Sequence, residues 1–399
     1  MVPATHNKDY KECIYTRSGE FMKNNTSTCV YLLALSMICC LAYVKPSYDW
    51  DILPYAAIVL QYDHTPGDLH RQVYNEAARE MPKDQYQLLA AANDRRKHWS
   101  ADSSAFYSLL PFYVVKPFYT LLSWTFYRSG IPLIKAMVLP SVLAFFLSGL
   151  LLYTWLNRYL PGNLTCLICM TVMLLPNNWE TARLSGPDFL AAFFMFFGMY
   201  FLLEKKSPPA FFISFLFAMG SRIDFILPLL VLMSLLFFQD PGRLKVSRKG
   251  LAAMALVALA CYLSIAMMAA KYGWDPLFFP SFMKTLTANY APSFNFRSYF
   301  RLMKDQLFTG LFYSQCAWIA LLGICYFIIG KRDTNLMFEQ KAVGALIVSA
   351  AIRFMMHPEI ANRFYIGYEL VIIALFIKKL AQLQKSEGLD TELPLNTVQ

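Results

Sequence analysis

The chain has 399 residues, 57% of them hydrophobic, 16% aromatic and only 16% charged, with a positive mean hydropathy. Soluble domains carry about 25% charged residues, so the composition excludes an ordinary soluble protein and reads as a polytopic, all-α membrane protein. The formal charge of +10 does not point to nucleic acid, because most Lys and Arg lie in short segments between apolar runs, the pattern that orients membrane helices.

Lys8, Lys11, Arg17 and Lys23 precede the first apolar run, and no small-residue cleavage site follows it, so this run reads as a retained first helix. A span takes about 20 apolar residues, fewer inside a bundle. The runs at 28–44, 134–156, 164–175, 189–203, 210–220, 225–238, 251–270, 311–329, 342–354 and 366–377 predict about ten spans. They form a single membrane domain over 1–385, followed by a polar, disordered tail at 386–399. The nine Cys are scattered, and Cys166 and Cys169 read as buried thiols rather than metal ligands.

With the N-terminus inside, the basic pairs Lys205–Lys206, Arg248–Lys249 and Lys378–Lys379 all fall inside. That parity requires the apolar stretch 109–127 to lie in the outer interface; Lys116-Pro117 interrupts it and Arg128 follows. The first external segment, about 45–133, is long, and its Ala-rich, charged middle reads as short helices. The segment 271–308 is rich in aromatics and Pro, and suits either an aromatic belt or a cover for a site.

The stretch Tyr48-Asp49-Trp50-Asp51-Ile52-Leu53-Pro54-Tyr55 is the first candidate for chemistry. It places two carboxylates among aromatics at the exit of the first helix. Two acids this close split their protonation behaviour, which suits general base work. The plainer reading is Asp51 as the cap of a short helix over 52–61. Asp188, in Ser-Gly-Pro-Asp, and Glu180 are acids of the second external segment; Asp188 also suits the start of a helix. Arg222 and Asp224 read as an ion pair at a helix junction or as a lipid-phosphate contact, since charges at membrane depth are costly. Arg353, His357, Glu359, Arg363 and Tyr365 form a cluster near the last two spans. It suits binding of a phosphate by forked guanidinium groups, or arginines reaching toward headgroups.

Asp51 followed four residues later by Tyr55, in the first external segment, resembles the Asp-Glu-x-x-Tyr type motif of the GT-C glycosyltransferases. The layout is similar throughout: a long first external loop with interfacial helices, short later spans and a late basic patch. The chain departs from the motif with Ile52 in place of a second acid and with Asp49 upstream. The resemblance implies a GT-C bundle at the outer face of a membrane, by analogy a bacterial plasma membrane. It implies an inverting transfer of a sugar from a polyprenyl-phosphate carrier to a hydroxyl-bearing glycan, lipid or protein, with no cofactor required. Asp51, by its spacing to Tyr55, and Asp49 would be catalytic. Tyr55, Glu180, Asp188 and Asp224 would orient acceptor or sugar, and Arg222, Arg353, His357, Arg363 and Tyr365 would hold the carrier phosphate. The rival readings are a transporter or flippase for a lipid-linked anion, and a non-catalytic assembly subunit. The absence of internal repeats disfavours the first, and the paired acids disfavour the second.

Overall fold

The computed structural model describes residues 8–63, 69–238, 246–269, 296–310, 315–330, 337–358 and 361–390. Regular structure among them is helical apart from one isolated parallel bridge between Ser47 and Leu184. Glu359 and most of the aromatic segment 271–308 lie outside the described residues.

The helices in chain order are α1 (Lys8–Val44), α2 (Ile52–Gln61), α3 (Leu69–Glu80), α4 (Lys83–Ala91), α5 (Asp94–Ala101), α6 (Ser103–Tyr107), α7 (Pro111–Val114) and α8 (Pro117–Arg128). They continue with α9 (Leu133–Leu156), α10 (Gly162–Met173), α11 (Pro176–Arg183), α12 (Asp188–Leu203), α13 (Pro208–Ser221), α14 (Ile226–Phe238) and α15 (Arg248–Met267). The last are α16 (Phe296–Asp305), α17 (Gln315–Gly330), α18 (Met337–Met356) and α19 (Ile366–Asp390).

Three of them are long and apolar enough to cross a membrane: Thr26–Val44 of α1, α9 and α15. The other apolar runs form helices too, mostly shorter. At 1.5 Å per residue, the 16 residues of α12 span about 24 Å, less than a hydrocarbon core of about 30 Å. α12 is buried along most of its length, whereas α10 leaves Leu164 and Leu167 exposed and α13 leaves Ile213 and Phe217 exposed. Residues 109–127 do not make one continuous helix. Pro117 has no backbone N–H to extend α7, and the chain restarts as α8.

α12 is the central element, packed against α9, α13 and α19. Small residues set the spacing. A Cβ on Gly198 would stand 2.9 Å from the ring of Phe215 on α13, and one on Gly367 would stand 2.9 Å from Met195 Sδ and 3.2 Å from Ala192 Cα on α12. At α9, Gly149 lets α1 approach closely, and Tyr31 donates to the Gly149 carbonyl at 2.8 Å. α2 is buried along nearly its whole length, beneath α3 and between α8 and α9. Its expected cap is not made: Asp51 has helical backbone angles and its side chain accepts no N-cap hydrogen bond.

Candidate functional site

The loop leaving α1 is fixed before its carboxylates are reached. Ser47 N donates to the Arg183 carbonyl at 3.0 Å, and Arg183 Nε donates back to the Lys45 carbonyl at 2.7 Å. These bonds lash the exit of α1 to the end of α11. Ser141 of α9 holds the following turn by donating to the Gly186 carbonyl at 2.8 Å. The segment with Asp49 and Asp51 is thereby placed beside Asp188, the first residue of α12. Asp49 Oδ1 accepts from Asp51 N at 2.5 Å, folding the two acids into one turn.

Arg363, in the 3-10 turn Asn362–Phe364 before α19, reaches this turn from the far end of the chain. Its Nη1 lies 2.7 Å from Asp49 Oδ2, its Nη2 3.3 Å from Asp51 Oδ2 and its Nε 3.6 Å from Asp188 Oδ2. Asp188 is also paired with Arg222 at the end of α13. Arg222 forks onto Asp224 at 3.1 and 3.0 Å, and Arg353 in the last turn of α18 donates to Asp224 Oδ2 at 2.7 Å. The ring of Phe364 lies against all three guanidinium groups, with its centroid 4.2 Å from Arg222 Cζ, 4.6 Å from Arg353 Cζ and 5.2 Å from Arg363 Cζ. Cation–π attraction strengthens when the cation is desolvated, and Arg353 is only 3% exposed.

A fourth cation completes the group. Lys116 sits at the break between α7 and α8, its Nζ 4.9 Å from the ring centroids of both Tyr55 and Tyr113. It donates to the Phe112 carbonyl at 3.3 Å and makes no ion pair among the described residues. Tyr113 donates its hydroxyl to Asp51 Oδ1 at 2.8 Å. With Asp49, Asp51, Asp188 and Asp224 ionised, Arg222, Arg353, Arg363 and Lys116 balance their charge.

The electrostatics differ across the group. Burial and the neighbouring Asp51 push the carboxyl of Asp49 up to about 6, against the pull of Arg363. Burial also opposes ionisation of Asp224, but Arg222 and Arg353 outweigh it and hold that carboxyl well below the usual range. Burial brings the Lys116 ammonium down to about 8, with Asp51 and Asp188 resisting. Arg353 Nη1 is buried with no hydrogen-bond partner among the described residues, and so are Trp50 Nε1 and Ser185 Oγ. A buried donor without a partner is costly and marks a place where a further acceptor would be welcome.

Of the residues singled out by sequence, Asp49, Asp51, Asp188, Asp224, Arg222, Arg353 and Arg363 meet in this one network. Tyr55 is a buried wall beside Lys116. Tyr365 packs its ring 5.0 Å from Arg353 Cζ, and His357 lies tilted beside Phe364 at 6.0 Å between centroids. Glu180 is not brought in: its exposed side chain pairs with Arg183 at 3.1 Å on α11. The arginines are not bare cations either, since each already holds a carboxylate. Sequence reasoning missed Lys116, Tyr113 and Phe364. The one available signal was a lysine interrupting an apolar stretch.

A second buried charge group lies at the opposite end of the same helices. Lys378 of α19 holds Glu204, at the end of α12, at 2.7 Å and Glu339, at the start of α18, at 2.6 Å. Trp155 and Tyr159 also donate to Glu204, at 2.8 and 2.7 Å. Lys378 and Lys379 are therefore not loop charges as the sequence suggested: both are buried within α19, which runs on to Asp390.

No protein-family model, curated protein or solved structure matches the chain.

Proposed function

We propose that the chain is a membrane glycosyltransferase that moves a sugar from a polyprenyl-phosphate carrier to an acceptor hydroxyl. The observation that carries this reading is the meeting of Asp49 and Asp51 with Arg363 at 2.7 and 3.3 Å, at the end of a helical bundle. A general base and a cation group able to hold a phosphate then lie within one hydrogen-bonded unit.

In this mechanism Asp51, oriented by Tyr113, takes the proton of the acceptor hydroxyl as its oxygen forms a bond to the anomeric carbon. The bond from that carbon to the carrier phosphate breaks, and its electron pair leaves on the phosphate oxygen. Attack from the face opposite the leaving group inverts the configuration. Lys116, which makes no ion pair among the described residues, and Arg353 Nη1, which has no hydrogen-bond partner among them, stabilise the charge on the departing phosphate. Asp49 shares the Arg363 fork with Asp51 and sets how strongly Asp51 is held. Asp188 and Asp224 keep Arg363, Arg222 and Arg353 in place as orienting groups. The site end of the bundle would face the outside of the cell.

The test is turnover of the purified protein in lipid nanodiscs, with a panel of synthetic polyprenyl-phosphate sugars and release of polyprenyl phosphate as the readout. Release by the wild type that disappears in Asp51→Asn supports the transferase and identifies the donor. Transport of a lipid-linked anion without release would replace this reading with the carrier one. Release that survives both Asp51→Asn and Asp49→Asn would move the chemistry to another part of the chain.

A further inference from the structure

Among the described helices, α16 has the most sharply divided faces. Phe296, Phe300 and Met303 recur at spacings of four and three and share one side of the helix, with Tyr299 at its margin. Arg297, Arg301 and Lys304 share a neighbouring side by the same spacings. Phe296 and Phe300 are 68% and 56% exposed and Met303 is half-buried, so the apolar face is largely open, and the three basic residues are exposed as well. The chain just after α16 continues the pattern, with Leu307 39% and Phe308 65% exposed.

Two observations fix the level at which this helix lies. Tyr299 donates its hydroxyl to the carbonyl of Met355, two residues beyond Arg353, which places α16 at the end of the bundle that carries the Asp–Arg network. Trp318, in the first turn of α17, is 69% exposed. An exposed Trp at a helix end is the side chain that favours the membrane–water boundary. A largely exposed apolar face beside a cationic face, at that boundary, is complementary to a lipid surface that is apolar below and anionic above.

We infer that α16 is a membrane-docking helix whose Arg297, Arg301 and Lys304 engage anionic lipid headgroups beside the site, while Phe296 and Phe300 enter the acyl boundary. This goes beyond the transferase reading and does not depend on it, because it concerns the bilayer and not the substrate. Each basic residue near an anionic surface favours association by about fivefold, so removing three changes the preference visibly.

The experiment uses the full-length protein in nanodiscs of phosphatidylcholine doped with a trace of photoactivatable lipid, either phosphatidylglycerol or phosphatidylcholine with the same acyl probe. Cross-linked peptides are mapped by mass spectrometry. The expected result is labelling within 296–308 by both probes, with the phosphatidylglycerol probe ahead by more than tenfold. In the combined variant Arg297→Gln/Arg301→Gln/Lys304→Gln, that preference falls to parity while the apolar labelling persists. In Phe296→Gln/Phe300→Gln, labelling by both probes falls. Thermal melting of each variant verifies that the bundle is intact. Equal labelling by the two probes in the wild type, an undiminished preference in the triple variant, or cross-links only to protein would each overturn the inference.

Discussion

Arg363 Nη1 lies 2.7 Å from Asp49 Oδ2, although 314 residues separate the two in the chain. That contact joins the first loop of the bundle to the turn before its last helix. Arg363 also reaches Asp51 and Asp188, so one guanidinium organises three carboxylates from two further elements. Removing it leaves Asp49 and Asp51 crowded and half-buried, and leaves buried Asp188 to Arg222. Arg363→Gln should destabilise the protein by about 3 kcal/mol, in the range for breaking a buried pair from one side. Arg363→Lys should recover little, because an ammonium does not fork. Adding Asp49→Asn to Arg363→Gln should restore part of the loss. Chemical unfolding in detergent, read as a double-mutant cycle, measures the coupling.

On the transferase reading, in which Asp51 is the general base, Asp51→Asn should lower transfer by about 10²- to 10⁴-fold, with the melting temperature nearly unchanged. Tyr113→Phe removes one hydrogen bond to Asp51 and should cost about fivefold, corresponding to roughly 1 kcal/mol. The ratio of the two variants in single-turnover release checks whether Tyr113 acts through Asp51.

Asp49 makes stability depend on pH in a particular direction. Its folded value is up at about 6, above an ordinary Asp value of 3.8. Between those values the folded chain keeps a proton that the unfolded chain releases, so this carboxyl lowers stability as pH rises. The wild type should lose stability relative to Asp49→Asn between about pH 4 and pH 6, and the difference should level off above that. Parallel melting curves of the two proteins across that window test the sign. A difference that shrinks as pH rises would show that Arg363, not burial and Asp51, dominates the environment of Asp49.

Lys378 faces two glutamates, Glu204 and Glu339, and all three are at least largely buried. Lys378→Met leaves both carboxylates without their shared cation and should destabilise by about 3–5 kcal/mol. The variant Lys378→Met/Glu204→Gln/Glu339→Gln should recover most of that loss, since replacing a whole buried ionic group by neutral ones is often close to neutral. Melting temperatures of the two variants separate a structural clamp from a role that requires charge.

Gly367 admits α19 to α12, where a Cβ would meet Ala192 Cα at 3.2 Å. Met195 can move its thioether aside; the Ala192 backbone cannot. Gly367→Ala should cost about 1–2 kcal/mol through overpacking. It should also weaken the site more than a remote helix substitution does, because Gly367 is four residues from Arg363. Comparing turnover with an alanine substitution at exposed Gly130, where a side chain would meet nothing, is not a clean control, since Gly130 has a positive φ of 94°. Gly344→Ala, with its nearest neighbour at an ordinary 3.6 Å, serves instead.

Composition and the spacing of apolar runs by themselves determined that this chain is helical and suited to a membrane, because burying backbone polar groups in an apolar medium leaves little choice but helix. They also located the break at Lys116-Pro117 and the polar residues at helix junctions, where a charge interrupts an apolar run at a recognisable cost. Partner choice was another matter. That Asp188 enters the network while Glu180 turns to Arg183, that Asp51 bonds Tyr113 rather than capping α2, and that Lys378 is buried between two glutamates were decided only by the tertiary structure. Local patterns specify which face of a helix is apolar, but not which of many similar apolar faces it meets. The close approaches at Gly198 and Gly367 select those neighbours, and only then do side chains from distant segments come within 3 Å of one another.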